Sequence, residues 1–179
     1  MSPVTNFVAF QAGWLACVLG GAHGAWMLGA AIAVAIVAWH LAHAPRPLLE
    51  LGLIGAIAPL GYLWDSLLVA GGWFVYPHGS LVAGWAPAWI LAMWLLFPIT
   101  LNASLRWLKQ RAWLAAAFGV VGGPLAYYAG VRLGAVSLPD PASALALQAV
   151  GWAVLMPAFV LLARRLDGLR PLHAEAARS

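Results

Sequence analysis

The chain has 179 residues, of which 64% are hydrophobic and only 8% are charged, and its formal net charge is +4. Soluble domains carry charge on about 25% of their residues, so this composition excludes an ordinary water-soluble fold. The basic residues lie at the ends of apolar segments, where membrane topology places them, and this argues against a nucleic-acid-binding protein.

Apolar segments of the length needed to cross a hydrocarbon core about 30 Å thick recur along the whole chain. The predicted spans are 4–21, 24–42, 50–73, 85–103, 112–134 and 142–163. Proline-containing breaks such as "HAPRP" and "AVSLPDPAS" separate them, because proline cannot continue a helix. No Lys or Arg precedes the first apolar run, so we expect a retained helix rather than a cleaved signal. The sequence predicts an all-α polytopic membrane bundle, with one transmembrane domain (1–163) and a basic tail (164–179).

The distribution of positive charge predicts the orientation of the bundle. With a cytoplasmic N-terminus, eight basic residues fall on the cytoplasmic side: Arg46, Arg106, Lys109, Arg111, Arg164, Arg165, Arg170 and Arg178. Only Arg132 falls on the other side. Cytoplasmic loops are enriched in Lys and Arg, so both termini are predicted to be cytoplasmic, which agrees with six spans. Tryptophans near the span ends fit the aromatic belts of a membrane protein: Trp26, Trp73, Trp85, Trp39, Trp107 and Trp113.

Asp65 interrupts the apolar run "GYLWDSLLVAGGW" in the third span. A carboxylate in mid-span costs about 2.5–3.5 kcal/mol on insertion scales, so it requires a partner or a use. Ala58 and Gly61 share its helical face, which predicts that Asp65 points into the bundle. The leading hypothesis is a structural ion pair with Arg132. The alternatives are a neutral carboxyl group that gives a proton to an apolar substrate, or one that carries protons in transport.

The polar residues predicted to line the interior form two clusters, one towards each side of the membrane. The outer cluster contains Asp65, Ser66, Tyr127 and Arg132, and the cytoplasmic cluster contains Asn6, Gln11 and Asn102. Asp65 and Glu50 are the candidate catalytic acids, but fifteen residues of helix place them ~22 Å apart, too far for a catalytic pair.

The histidines offer only a weak candidate for a metal site. His40, His43 and Glu50 lie close in sequence and together could bind one metal ion. Such groups at a membrane interface more often contact solvent or neighbours, so we predict no metal and no cofactor. The chain also has no HExxH or GxSxG motif and no Gly-rich phosphate loop.

Several blocks resemble a family of small bacterial inner-membrane proteins that is catalogued only as a domain of unknown function. These blocks are "NFVAFQAGWLACVLGGA", "LGYLWDSLLVAGGW", "APAWILAMWLLFPITLNASLRWL", "GGPLAYYAGVRLGA" and "GWAVLMPAFVLLAR". The resemblance covers nearly the full chain. It implies the topology and an inner-membrane location, and it implies no established activity.

Three functions remain open from the sequence. The first is binding, or assisted modification, of membrane lipid or another apolar substrate, which a cavity of small residues near Asp65 would favour. The second is a proton-coupled carrier, which needs a water path through Pro59 and Pro124. The third is a scaffold for a partner enzyme, which a packed interior would favour. The expected partners are membrane lipids, with a homo-oligomer or a partner membrane enzyme as further alternatives.

Overall fold

The computed structural model describes residues 2–170, in which the regular elements are helices and no β-strand forms. The α-helices are α1 (Pro3–Ala22), α2 (Trp26–Ala42), α3 (Pro47–Ala70), α4 (Ala88–Leu96), α5 (Ala112–Arg132) and α6 (Pro141–Arg165). Two short 3-10 helices cover Phe97–Thr100 and Arg106–Gln110. The predicted all-α fold is confirmed. Residues 171–179, which include Arg178 and most of the predicted basic tail, lie outside the described residues.

The helices form a membrane bundle. Within residues 2–170, α1, α3, α5 and α6 are long and apolar enough to cross a membrane, whereas α2 and the segment Ala88–Thr100 are shorter apolar helices. Large apolar side chains are exposed on the outside of the bundle, for example Val4, Leu48 and Val154. In a bilayer such side chains meet lipid, while the helical backbone satisfies its own polar groups.

Local sequence signals explain where the long helices begin and end. Pro47 occupies the first turn of α3, where its missing N–H is not needed, so the helix begins three residues before the predicted span. The helix ends at Ala70 because Gly72 has a φ of 77°, a conformation that favours glycine. Asp140 caps α6 by accepting a hydrogen bond from the Ser143 amide.

The fourth predicted span, 85–103, does not form one continuous α-helix. Its α-helical part ends at Leu96, and the chain continues as the 3-10 helix Phe97–Thr100 followed by turns. Pro98 explains the change, since its ring clashes with the carbonyl of the residue four positions earlier and it has no N–H to donate.

Long-range contacts show that successive helices alternate in direction. At one end of the bundle, Ser104 donates to Asn6, and the Arg46 amide donates to the Gly168 carbonyl. We call this the basic end, because Arg106, Lys109 and Arg164 also lie there. At the opposite end, Val75 and Ser137 exchange backbone hydrogen bonds.

Glycines allow the helices to approach closely, both at Gly61, on the face that the sequence predicted to contact another helix, and at Gly119. A Cβ atom on Gly61 would collide with the Trp94 ring, and one on Gly119 would collide with the Trp152 carbonyl. Such small residues replace hydrophobic drive as the basis for helix packing in lipid. The packing at Gly61 brings α4 against the face of α3 that carries Asp65.

Candidate functional site

Asp65 is completely buried, and neutral hydrogen-bond donors from three other helices surround its carboxyl group. The Trp94 indole N–H donates to Oδ2 at 2.7 Å, and the Tyr127 hydroxyl donates to Oδ1 at 2.6 Å. The Gln148 amide approaches Oδ1 at 3.5 Å. The Trp64 indole N–H holds the Gln148 carbonyl oxygen at 3.1 Å. A buried carboxyl group can be stabilised by hydrogen bonds as well as by an opposite charge, and here donors from α4, α5 and α6 supply them.

The predicted ion pair between Asp65 and Arg132 is wrong. Arg132 is exposed at the end of α5, and it does not belong to the polar interior either. It follows Tyr127 by five residues, so it lies about 140° around the helix and ~7.5 Å further along it. With Tyr127 directed at Asp65, the arginine is directed elsewhere, and its long side chain can extend towards the membrane surface.

Ser66 is buried, but it stabilises a loop. Its hydroxyl donates to the Tyr62 carbonyl at 2.8 Å and accepts from the Ala86 amide at 3.2 Å. The Tyr62 hydroxyl donates to the Ala86 carbonyl at 2.7 Å. Together these bonds attach the segment before α4 to α3, and so they help to position Trp94 beside Asp65.

A lateral cavity of about 350 Å³ lies between α1 and α5, with α4 and α6 behind it. Its lining residues are Phe7, Phe10, Gln11, Trp14, Met93, Trp94, Leu96, Phe97, Thr100, Ser104, Leu105, Phe118, Gly119, Gly122, Gly123, Leu125, Ala126, Tyr127, Ala129 and Trp152. Phe7, Phe118 and Leu125 are exposed and so mark its rim. Trp94 and Tyr127 belong both to the cavity wall and to the donors of Asp65, whereas Asp65 itself does not line the cavity.

Two polar groups of the cavity have no hydrogen-bond partner among residues 2–170. The indole N–H of Trp152 is buried and unpaired. Gln11 is exposed, and its carboxamide neither donates to nor accepts from a described residue. The sequence predicted Gln11 as an interior residue, and the structure places it in the cavity wall.

A second, smaller cavity of about 40 Å³ adjoins the lateral cavity. The two share Trp14, Met93, Ala126 and Tyr127. Tyr76 lines the smaller cavity, and its buried hydroxyl has no partner in the described part of the chain. A space of this size can hold water, provided that polar groups are present to bind it.

A second buried polar network lies at the basic end and is centred on Glu50. Glu50 is fully buried, and one carboxylate oxygen lies 2.8 Å from the His40 imidazole. The other oxygen accepts from the Asn102 amide at 2.6 Å and from the Gly168 backbone N–H at 2.8 Å. Asn102 also donates to the Leu166 carbonyl at 2.8 Å. The network therefore attaches the segment after α6 to α3.

Lys109 and Asp167 extend this network, and sequence reasoning did not find their pairing. The Lys109 ammonium donates to the Asn102 carbonyl oxygen and, at 2.9 Å, to Asp167. Arg106 and Arg170 each contact the same carboxylate at 3.1 Å. The one available signal was the acid of "RRLDGLR", which stands among arginines just after the sixth span.

The candidate metal ligands do not come together. His43 is exposed, and its Nδ1 lies 2.9 Å from the Trp39 carbonyl oxygen, whereas His40 is buried beside Glu50. No group of three or more His, Cys, Asp or Glu side chains within residues 2–170 has the geometry to hold a metal ion. Asn6 is also satisfied structurally, because its amide donates to Ile99 at 3.1 Å and its oxygen accepts from Ser104 at 2.7 Å.

The charge on Asp167 predicts a stability change in acid. Burial alone would raise the pKa of Asp167, but the hydrogen bonds and positive charges of Lys109 and Arg106 outweigh it and lower the pKa. A carboxylate with a lowered pKa stabilises the fold above its unfolded pKa of about 3.9, and the stabilisation is lost as the pH falls through the folded value. Thermal unfolding in detergent should therefore show a falling Tm below about pH 4, and this loss should be smaller in Asp167→Asn. Identical acid profiles for the two proteins would contradict this role.

Comparison with known proteins identifies the family. A family model described as "Protein of unknown function (DUF2878)" matches residues 3–158. The chain belongs to this family. The matched residues contain Asp65, all of its donors and the lateral cavity, while Asp167 lies beyond them. The resemblance seen in the sequence is confirmed as far as an uncharacterised family is concerned. No curated protein and no solved structure matches the chain.

Proposed function

We propose that this membrane protein binds an apolar molecule, drawn from the surrounding bilayer, in the lateral cavity between α1 and α5. The observation that carries the proposal is the cavity itself. Its volume of about 350 Å³ lies within the range of about 300–1,000 Å³ that is typical of ligand pockets. Its rim is formed by apolar side chains that are exposed on membrane-spanning helices, so entry from lipid requires no passage through water.

The proposal includes six spans in a bacterial inner membrane, with both termini cytoplasmic. The alternating helix directions support it, as does the position of Asn6, Arg46 and Gly168 at the same end of the bundle. The clustering of Arg106, Lys109 and Arg164 at that end fits the cytoplasmic enrichment of positive charge. Tryptophans exposed near helix ends on both sides of the bundle, among them Trp113 at the basic end and Trp85 at the opposite end, fit the two interfaces.

Binding fits the geometry better than the other functions considered. The two buried acids of α3, Glu50 and Asp65, are separated by fully buried Leu53 and Ile57, whose packing does not favour a water path for a carrier. A cavity of this size does not favour a packed scaffold. Neither Asp65 nor Glu50 lines the cavity, so the geometry favours binding over direct catalysis by either carboxyl group. A homo-oligomer and a partner enzyme stay predictions.

Filling the cavity should abolish binding. Gly122 lines the cavity, and a Cβ atom there would meet only the Phe118 ring at ordinary contact distance, so Gly122→Leu adds volume without a backbone collision. We expect labelling of the cavity walls by a diazirine-bearing fatty acid in the wild-type protein, and loss of that labelling in Gly122→Leu. The leucine side chain occupies part of the cavity, so it overlaps with the ligand, and labelling of the cavity walls should fall by about tenfold or more. Adducts are mapped by peptide mass spectrometry.

Gly55→Leu is the matched control for this experiment. Gly55 is exposed in α3, lines neither cavity, and a Cβ atom there would have no neighbour within 4 Å. The control should retain wild-type labelling, and an excess of unreactive fatty acid should compete at the cavity in both proteins. Labelling spread evenly over the lipid-facing surface, with no loss in Gly122→Leu, would refute the proposed function.

A further inference from the structure

We infer that the ligand of the lateral cavity is a lipid-soluble quinone, whose ring lies among the cavity's aromatic side chains and whose carbonyl oxygens accept hydrogen bonds from Trp152 and Gln11. This inference rests on the proposed function and specifies its ligand. It is carried by the composition of the cavity wall and by the two polar groups in that wall that no other residue satisfies.

The bilayer itself restricts what can make such a cavity selective. An acyl chain gains little by moving from lipid into an apolar cavity, because both surroundings are hydrocarbon. The hydrophobic effect, which dominates ligand binding in water, therefore contributes little here. Only interactions that depend on geometry can distinguish a ligand from the surrounding lipid, and these are aromatic contacts and hydrogen bonds.

Aromatic side chains dominate the cavity wall. Eight of its twenty lining residues are aromatic, although aromatic residues make up only 12% of the chain. Trp94 and Trp152 stack at 5.4 Å with an interplanar angle of 19°, and Phe97 meets the Trp152 ring edge-on at 5.3 Å. Flat π surfaces in this arrangement favour a flat ring as ligand, since aromatic pairs gain energy beyond the area that they bury.

The unpaired N–H of Trp152 requires an acceptor. An indole nitrogen can only donate, and a buried donor without a partner is costly. A Cβ atom on Gly123 would collide with the edge of the Trp152 ring, with Nε1 3.0 Å away, so the N–H lies beside a glycine that also lines the cavity. The nitrogen itself is covered in this structure, so a hydrogen bond to an oxygen of the ligand requires the Trp152 ring to turn towards the cavity that it lines.

Gln11 supplies a second polar group at membrane depth. It lies eight residues after the start of α1, about 12 Å along the helix, which is deeper than the headgroups at the basic end. The ester carbonyls of phospholipids lie near the interface, and a saturated chain has no acceptor at this depth. A quinone combines a flat ring, carbonyl acceptors and an apolar tail, so it matches both features of the wall.

Titration with decylubiquinone tests the inference. Binding is followed in detergent micelles by quenching of tryptophan fluorescence, normalised for each variant. Trp152→Phe keeps an aromatic ring, although a smaller one, and removes the N–H, and Gln11→Leu keeps the approximate volume and removes the amide. Each should raise the Kd by about tenfold, the value expected for one lost hydrogen bond. Gln11→Leu should leave the Tm unchanged, because the Gln11 amide has no partner within the described protein, whereas Trp152→Phe also removes ring atoms packed against Trp94 and should lower the Tm modestly.

Trp113→Phe is the matched control, since Trp113 is exposed and lines neither cavity. It should bind decylubiquinone as the wild type does. Unchanged affinity in both Trp152→Phe and Gln11→Leu would overturn the inference, and so would stronger competition by 12-hydroxystearate than by decylubiquinone. If the diazirine fatty acid labels the cavity while decylubiquinone neither binds nor competes, the quinone is wrong and the proposed function stands. If neither probe reaches the cavity, both are wrong.

Discussion

Asp65→Ala should lower the free energy of unfolding by roughly 3 kcal/mol, because it leaves two well-placed buried donors without an acceptor. The indole N–H of Trp94 and the hydroxyl of Tyr127 both bond to this carboxyl group at 2.6–2.7 Å. Since the three donors come from α4, α5 and α6, the loss should loosen the whole bundle. Unfolding by SDS titration in mixed micelles measures the change.

Asp65→Asn and Arg132→Gln are the controls that separate the hydrogen-bonded carboxyl group from an ion pair. The asparagine of Asp65→Asn keeps one oxygen for Trp94 and can donate to the Tyr127 hydroxyl oxygen. This variant should therefore lower the free energy of unfolding by less than about 1 kcal/mol. Arg132 is exposed and distant from Asp65, so Arg132→Gln should leave the stability unchanged. If Arg132→Gln lowers the free energy of unfolding as much as Asp65→Ala does, the result would contradict the structure and support the Asp65–Arg132 ion pair.

Glu50→Ala should lower the free energy of unfolding by roughly 3–5 kcal/mol. It should also release the segment that follows α6 at the basic end. It removes the acceptor for His40, for the Asn102 amide and for the Gly168 backbone N–H, all of which are buried. Because Gly168 is then attached to the start of α3 only through its carbonyl bond to the Arg46 amide, trypsin should cleave after Arg164 and Arg165 faster than in the wild type.

The specificity of this effect can be checked with two milder changes. Thr100→Val removes only a local hydrogen bond to the Phe97 carbonyl, so it should cost less than about 1 kcal/mol and leave cleavage unchanged. Glu50→Gln keeps one oxygen for Asn102 and Gly168 and should give an intermediate result. If Glu50→Ala is cleaved no faster than Thr100→Val, the network does not hold the segment.

The depth of each polar residue was predictable, but its partner was not. For Asp65, burial followed from the small residues on its helical face, since that face must contact another helix. The partner was inferred from charge alone, as Arg132 was the only cation assigned to that side. An inference from charge takes no account of the direction in which each side chain leaves its helix. The rotation of α5 that directs Tyr127 at Asp65 directs Arg132 to the outside of the bundle. The neutral donor Trp94 carried no sequence signal that distinguished it from a tryptophan of the membrane belts.

The sequence by itself determined the elements and the membrane environment. The signals that predict the helices are local: the apolar composition and length of each segment, prolines at helix starts and glycines after helix ends. Because each signal lies within or next to the helix that it predicts, the helices could be predicted before any contact between them was known. Tertiary structure decided what required two distant segments to meet. Asp167 reaches Lys109 across 58 residues, and the lateral cavity arises because α1 and α5 stand on either side of α4. Such contacts depend on the rotation and depth of each helix against its neighbours, and these are set by the packing of side chains such as Trp94 against Gly61, which no local pattern encodes.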